Sequence, residues 1–202
     1  MFRSLIAAAL IVAPVAAYAQ SPVANPAPAA VQAGNYAVET THTRVQFTVS
    51  HMGFSDWYGD LTGVTGSLVL DPKAPAAAKV DITIPVSSIS TTNATLDGEL
   101  KSEAWLDAGK YPEIRFPSTG VTPTGPRTAN IAGNLTFHGV TRPVVLKAAF
   151  LASGVNPLSK GYTVGFNATA ALKRSDFGVK TYIPLIGDEV TLRISAAFEK
   201  AK

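Results

Sequence analysis

The side chains best suited to proton transfer or polar ligand contact near neutral pH are three histidines, at positions 42, 51 and 138. His51 stands out because Val45, Phe47 and Val49 precede it at a spacing of two, which puts all four on one face of an extended strand. A histidine ending an apolar row can donate a hydrogen bond to a ligand's carbonyl or phosphate oxygen. It can equally be satisfied by main chain in the turn that follows. His42 and His138 read as surface or turn residues, and no close i,i+2 or i,i+4 histidine pair marks a metal site. Arg174 can clamp a phosphate through its planar fork, or, with Asp176, fix the long loop that it begins.

Acid–base or nucleophilic catalysis finds little support. Asp97 and Glu99 fall on an exposed helical face, and Asp107 and Glu113 on a helix end and a strand edge, so they read as solvated surface rather than as carboxylate pairs. Ser50 and His51 are adjacent on a strand and point to opposite faces, and no G-x-S-x-G elbow occurs. No catalytic set, metal or cofactor is expected.

The elements that hold these residues show the period of strands. Alternating segments run over residues 43–51, 60–70, 79–85, 130–137, 162–170 and 190–198, and shorter alternation surrounds Phe116 and Leu146. His138-Gly139 is a hairpin turn signal. Residues 93–107 form the one helical interval, with Asn93 capping the first turn and Ser102 opening a second, and it can close one mouth of a barrel. Residues 173–189 lack alternation and read as a long connection with a helical turn. About eight long strands close a barrel that can hold a small ligand, with a two-sheet sandwich as the rival; hairpin-like succession favours the barrel. The predicted tail wall is Val45, Phe47, Val49, Leu68, Ile82, Ile84, Phe116, Leu135, Phe137, Val164, Phe166 and Phe177, and small inward residues such as Gly66 and Gly133 leave room for a ligand. A core filled by its own side chains is the competing state.

Residues 1–19 read as an export signal: Arg3, an apolar run over 5–13, and Ala17-Tyr18-Ala19 before a cleavage after Ala19. Residues 20–35 are a Pro/Ala-rich, flexible linker, and 36–202 fit one domain. The expected location is periplasmic or secreted. There is no cysteine and hence no disulfide, and the net charge of +3 is scattered without a basic run, which argues against nucleic-acid binding.

The motifs also resemble those of the YceI-like family. Phe47-Thr48-Val49-Ser50-His51-Met52-Gly53 followed by Gly59 and Gly66 is similar to its N-terminal signature, and Lys110-Tyr111-Pro112-Glu113-Ile114-Arg115-Phe116 to its middle section. Gly133-Asn134-Leu135-Thr136 through Thr141 resembles its hairpin, and Arg174-Ser175-Asp176-Phe177-Gly178 its R-x-D-F-G motif. The four blocks occur in order across nearly all of residues 36–202; Leu61 stands where an aromatic is common. The resemblance implies an all-β, eight-stranded antiparallel lipocalin-like barrel with a short helical insert. It implies a cavity for isoprenoid lipids, with quinones and polyprenyl phosphates as the usual candidates, and no family-wide catalytic residue. His51 and Arg174 are the head-group candidates. The expected partner is such a lipid or quinone, with transient membrane contact and a monomeric or homodimeric state both compatible. The alternative is an enzyme acting on a lipidic substrate with His51 as general base.

Overall fold

The computed structural model describes residues 23–201. Ten strands form the wall: β1 (Gly34–Val38), β2 (Arg44–His51), β3 (Ser55–Leu61), β4 (Thr65–Leu70), β5 (Lys79–Pro85), β6 (Glu113–Gly125), β7 (Thr128–Phe137), β8 (Val140–Val155), β9 (Tyr162–Lys173) and β10 (Ile186–Lys200). One α-helix, α1 (Ala94–Lys101), lies between β5 and β6. Every pairing is antiparallel, and β10 returns to both β1 and β2, which closes the sheet. Because β1 and β2 share the edge of β10, and β4 and β3 pair with them in turn, ten strands make eight staves. The architecture is the predicted antiparallel barrel with a short helical insert, and closure rules out the sandwich.

Three local expectations change. The single strand expected over 60–70 is two, interrupted at residues 62–64, where Gly63 takes a left-handed φ of 64°; just before the break Asp60 exchanges main-chain hydrogen bonds of 2.8 and 2.9 Å with Ser90. β4 alone then pairs with β5. Ser102 opens the short turn through Trp105 and Leu106, its carbonyl accepting the Trp105 N–H at 3.1 Å and the Asp107 N–H at 2.8 Å, but its hydroxyl does not cap that turn; it donates to the Glu99 carbonyl at 2.7 Å and closes α1. Asn93 does cap the helix, accepting from the Thr95 and Leu96 N–H groups at 3.1 and 3.2 Å.

The leader is the third. From residue 23 it packs on the barrel instead of hanging free: Asn25 and Ser153 exchange main-chain bonds of 2.8 and 2.9 Å, and the Tyr162 hydroxyl donates to the Ala30 carbonyl at 3.0 Å. Val31 is buried there with Tyr36, Phe150, Val164 and Phe198. The expected signal segment, 1–19, lies outside the described residues. The His138-Gly139 turn forms as read, with φ of 50° and 72°, which is what a two-residue hairpin turn requires.

Candidate ligand-binding cavity

Alternation puts every second side chain inside, yet the inward rows do not meet across the barrel. They enclose a cavity of about 430 Å³, a size common for small-molecule sites. Val45, Phe47, Val49, Leu68, Ile82, Ile84, Phe116, Leu135, Phe137 and Phe166 line it, joined by Leu192 and Ile194 of β10. Val164 and Phe177, expected on the same wall, do not. Val164 keeps the inward parity of Phe166, but there Val31, Tyr36, Phe150 and Phe198 pack over it and bury it fully, away from the cavity. Phe177, from the 3₁₀ turn Arg174–Phe177, packs behind the wall with its ring 5.5 Å from that of Phe137.

Two glycines hold the lumen open. Gly59 pairs with Phe47, and a Cβ on it would stand 2.2 Å from the ring's Cζ; at Gly133 a Cβ would stand 2.4 Å from Cζ of Phe116. Each ring therefore rests against bare backbone instead of filling the centre. The buried wall residue Thr43 is satisfied: it donates to the Ala197 carbonyl at 3.2 Å and accepts its N–H at 3.0 Å. What remains toward the lumen is alkyl and aromatic surface.

One end of the cavity is closed and the other open. Leu100, Trp105, Leu106, Val179, Ile186 and Arg174 form the floor, brought there by α1 and the β9–β10 connection. Arg174 is only 4 % exposed. Its Nε donates to the Gly187 carbonyl at 2.8 Å, Nη2 to Ile186 at 2.8 Å and Nη1 to Val179 at 3.2 Å, and the guanidinium sits 5.3 Å from the Trp105 ring. Burial pulls the guanidinium below its ordinary value and the Asp188 charge opposes that pull; an arginine stays charged regardless. Asp188 itself is occupied by the Ser175 N–H and hydroxyl at 2.9 and 2.8 Å. Asp176 is not the residue that fixes this loop; Asp188 does so from the far side.

His51 stands opposite Ile186 and Ser55 at the floor end, with its ring 6.1 Å from Trp57, and is not on the cavity wall. The structure thus brings the tail-wall residues together and leaves His51 apart. His42 pairs with Glu39 at 2.6 Å on the surface, and His138 Nδ1 donates to the Phe177 carbonyl at 3.0 Å, tying the hairpin to the 3₁₀ turn. Among the described residues no group of three or more histidines or acids could hold a metal ion.

The open end was not legible from sequence. Pro28, Pro72, Pro75, Pro123 and Pro126 ring it, with Gly125, Arg127 and Thr128 of the β6–β7 hairpin. Arg127 donates from Nε and Nη2 to the Phe150 carbonyl at 3.2 and 2.9 Å, reaches Leu151, and lies 5.8 Å above the Phe150 ring. Gly125-Pro126 signals a turn, but nothing local says that this turn borders the mouth.

Known proteins are similar to this chain in sequence and fold. The YceI-like domain model matches residues 36–198. A UPF0312 protein of Pseudomonas savastanoi pv. phaseolicola is 39% identical over 161 residues, covering 80% of this chain and 82% of its own. Another, from Pseudomonas paraeruginosa, is 41% identical over 157 residues, covering 78% and 81%. Among solved structures, the Campylobacter jejuni YceI protein superposes with a TM-score of 0.67 at 25% identity, covering 76% of this chain and 90% of its own. A Saccharophagus degradans domain described as polyisoprenoid-binding has the same fold, with a TM-score of 0.63 at 12% identity and coverage of 84% and 100%.

Proposed function

Because this chain belongs to the YceI-like family, we propose that it binds an isoprenoid or similar amphiphilic lipid inside the barrel. A quinone or a polyprenyl phosphate is the intended cargo, held for periplasmic carriage, storage or sequestration. The observation that carries this reading is the 430 Å³ cavity with its apolar wall, open at one end and closed at the other. Partitioning supplies the affinity: each CH₂ moved from water into such a lumen contributes ~0.8 kcal/mol. The binding domain of Saccharophagus degradans adds support through its shared fold.

The tail lies along Phe47, Phe116, Leu135 and Phe166 toward the floor. Arg174 serves that floor as a structural cation, since main-chain carbonyls already occupy three of its donor positions. A general base would have to face the substrate, and His51 does not face the lumen, so the geometry favours a binding protein over an enzyme. Export fits the same picture, with cleavage after Ala19 releasing the mature chain. Among the described residues no helix is long and apolar enough to cross a membrane.

Native mass spectrometry of protein purified from the periplasm tests both parts. The expected species begins at Gln20 and carries an extractable lipid. A chain that stays in the cytoplasm, or a protein that is empty and also fails to take up quinones and polyprenyl phosphates, would refute the reading.

A further inference from the structure

The cavity has two cations on its wall, one at each end, and they differ in what they can still do. Arg174 at the floor is buried and bound to three carbonyls. Arg127 at the mouth is exposed, and its Nη1 has no partner among the described residues. Its other nitrogens grip the Phe150 and Leu151 carbonyls, so the fork is held in place with one edge free. It forms no ion pair among the described residues. Exposed Lys73 follows the lining residue Pro72 in the β4–β5 loop, while Lys79 alternates with lumen-facing Val80 and lies on the outer face with Asp81. The one acid in that loop, Asp71, accepts the Lys73 N–H at 2.8 Å. With Lys73 beside Asp71, the charge free to meet a ligand at the mouth is that of Arg127.

We propose that the mouth, with Arg127 as its specificity-determining residue, is the station for an anionic lipid head group, so that the lipid binds tail-down with a phosphate at the rim. This rests on the lipid-binding reading above and adds the head-group class and the orientation. A phosphate at the rim keeps part of its hydration while it accepts charge-assisted hydrogen bonds from the guanidinium. At the floor it would be stripped of water beside a guanidinium that is already engaged, which is the costlier arrangement.

The test compares a polyprenyl phosphate with the polyprenol of equal chain length by displacement of a fluorescent lipid probe, at low and high salt. The wild-type protein should prefer the phosphate by about tenfold or more, the effect of a hydrogen bond to a charged group. Salt should shrink that preference, because the site is exposed. Arg127→Gln should bring the two lipids within about twofold of each other by weakening the phosphate far more than the polyprenol, as expected when the charge-assisted contact is lost. Arg127→Lys should retain part of the preference, since it keeps the charge and loses the fork. Inorganic phosphate in large excess, lacking a tail, should not displace the phosphate lipid. Equal affinity for the two lipids in the wild type overturns this inference and leaves the lipid-binding function standing. A preference that survives both Arg127→Gln and high salt places the head at the floor and overturns it too, as does displacement by inorganic phosphate. Binding of neither lipid overturns this inference and the proposed function together.

Discussion

Gly59→Ala probes whether bare backbone behind the aromatic rings is what keeps the barrel hollow. The new Cβ would fall 2.2 and 2.4 Å from two carbons of the Phe47 ring. Carbon atoms settle at about 3.5–4.0 Å, so the ring must retreat by roughly 1.3–1.8 Å. Backbone blocks one side, and the cavity is the yielding direction. Overpacking a filled core costs about 1–3 kcal/mol, and here the empty space in front holds the cost to the low end of that range. Melting should therefore fall by only about 2–4 °C. The displaced ring takes the room of one or two methylenes, which weakens lipid binding by about 1–2 kcal/mol, roughly five- to thirtyfold in Kd. Thermal melts and lipid-probe displacement, run on the same preparation, separate the two effects. Trimming the ring in Gly59→Ala/Phe47→Leu should return affinity toward wild type. A melt that collapses while the folded fraction binds normally would refute the seat, and so would a variant unchanged in both respects.

Tyr36 and Arg174 give further tests. Burial, with a smaller contribution from Tyr162, pushes the Tyr36 hydroxyl up to about 12, whereas an unfolded tyrosine ionises near 10. Its contribution to stability is thus complete below about pH 10 and lost as the pH climbs toward 12, because the unfolded chain ionises first. Tyr36→Phe should flatten the alkaline fall in melting temperature over that window, and an unchanged slope would contradict it. Arg174→Met strips three main-chain carbonyls of their donor, at about 1–3 kcal/mol for each group left unsatisfied. Melting should drop sharply, while lipid affinity of the folded fraction falls less than in Phe166→Asp, which puts a charge in the tail wall. A specific loss of binding without loss of stability would instead make Arg174 a head-group contact.

The parts of the fold governed by short-range rules were legible in the sequence. Alternation located the inward rows, Asn93 announced α1, and His138-Gly139 fixed the β7–β8 register, since each depends on residues within a few positions of one another. What escaped depends on distant partners. The expected 60–70 strand breaks after Leu61, just past the point where distant Ser90 bridges Asp60. Val164 leaves the lumen because Val31, from the leader, and Tyr36 pack over it. His51 shares the parity of Val45 and Phe47 but sits at the floor end of β2, beside a register shift in β10, and does not line the cavity. Parity states which face a side chain takes, and only closure states whether that face still borders the cavity. Arg127 shows the converse, since an unremarkable turn residue becomes a wall residue once β6 and β7 reach the rim.

The two ends then divide the work between affinity and choice. A lumen of alkyl and aromatic surface treats one apolar chain much like another, because burial energy follows area rather than identity. Selectivity must therefore arise where polar groups remain free, and the floor offers little, since Arg174 is engaged with three carbonyls. The rim has the free edge of Arg127, and five prolines limit how far it can move in the empty state. A rim already rigid before binding loses little conformational entropy when the lipid arrives. The energy of each methylene is then retained as affinity, while discrimination falls to the head group at the mouth. It follows that lengthening the isoprenoid should change affinity until the lumen is full, and exchanging its phosphate for a hydroxyl should change selectivity at every length.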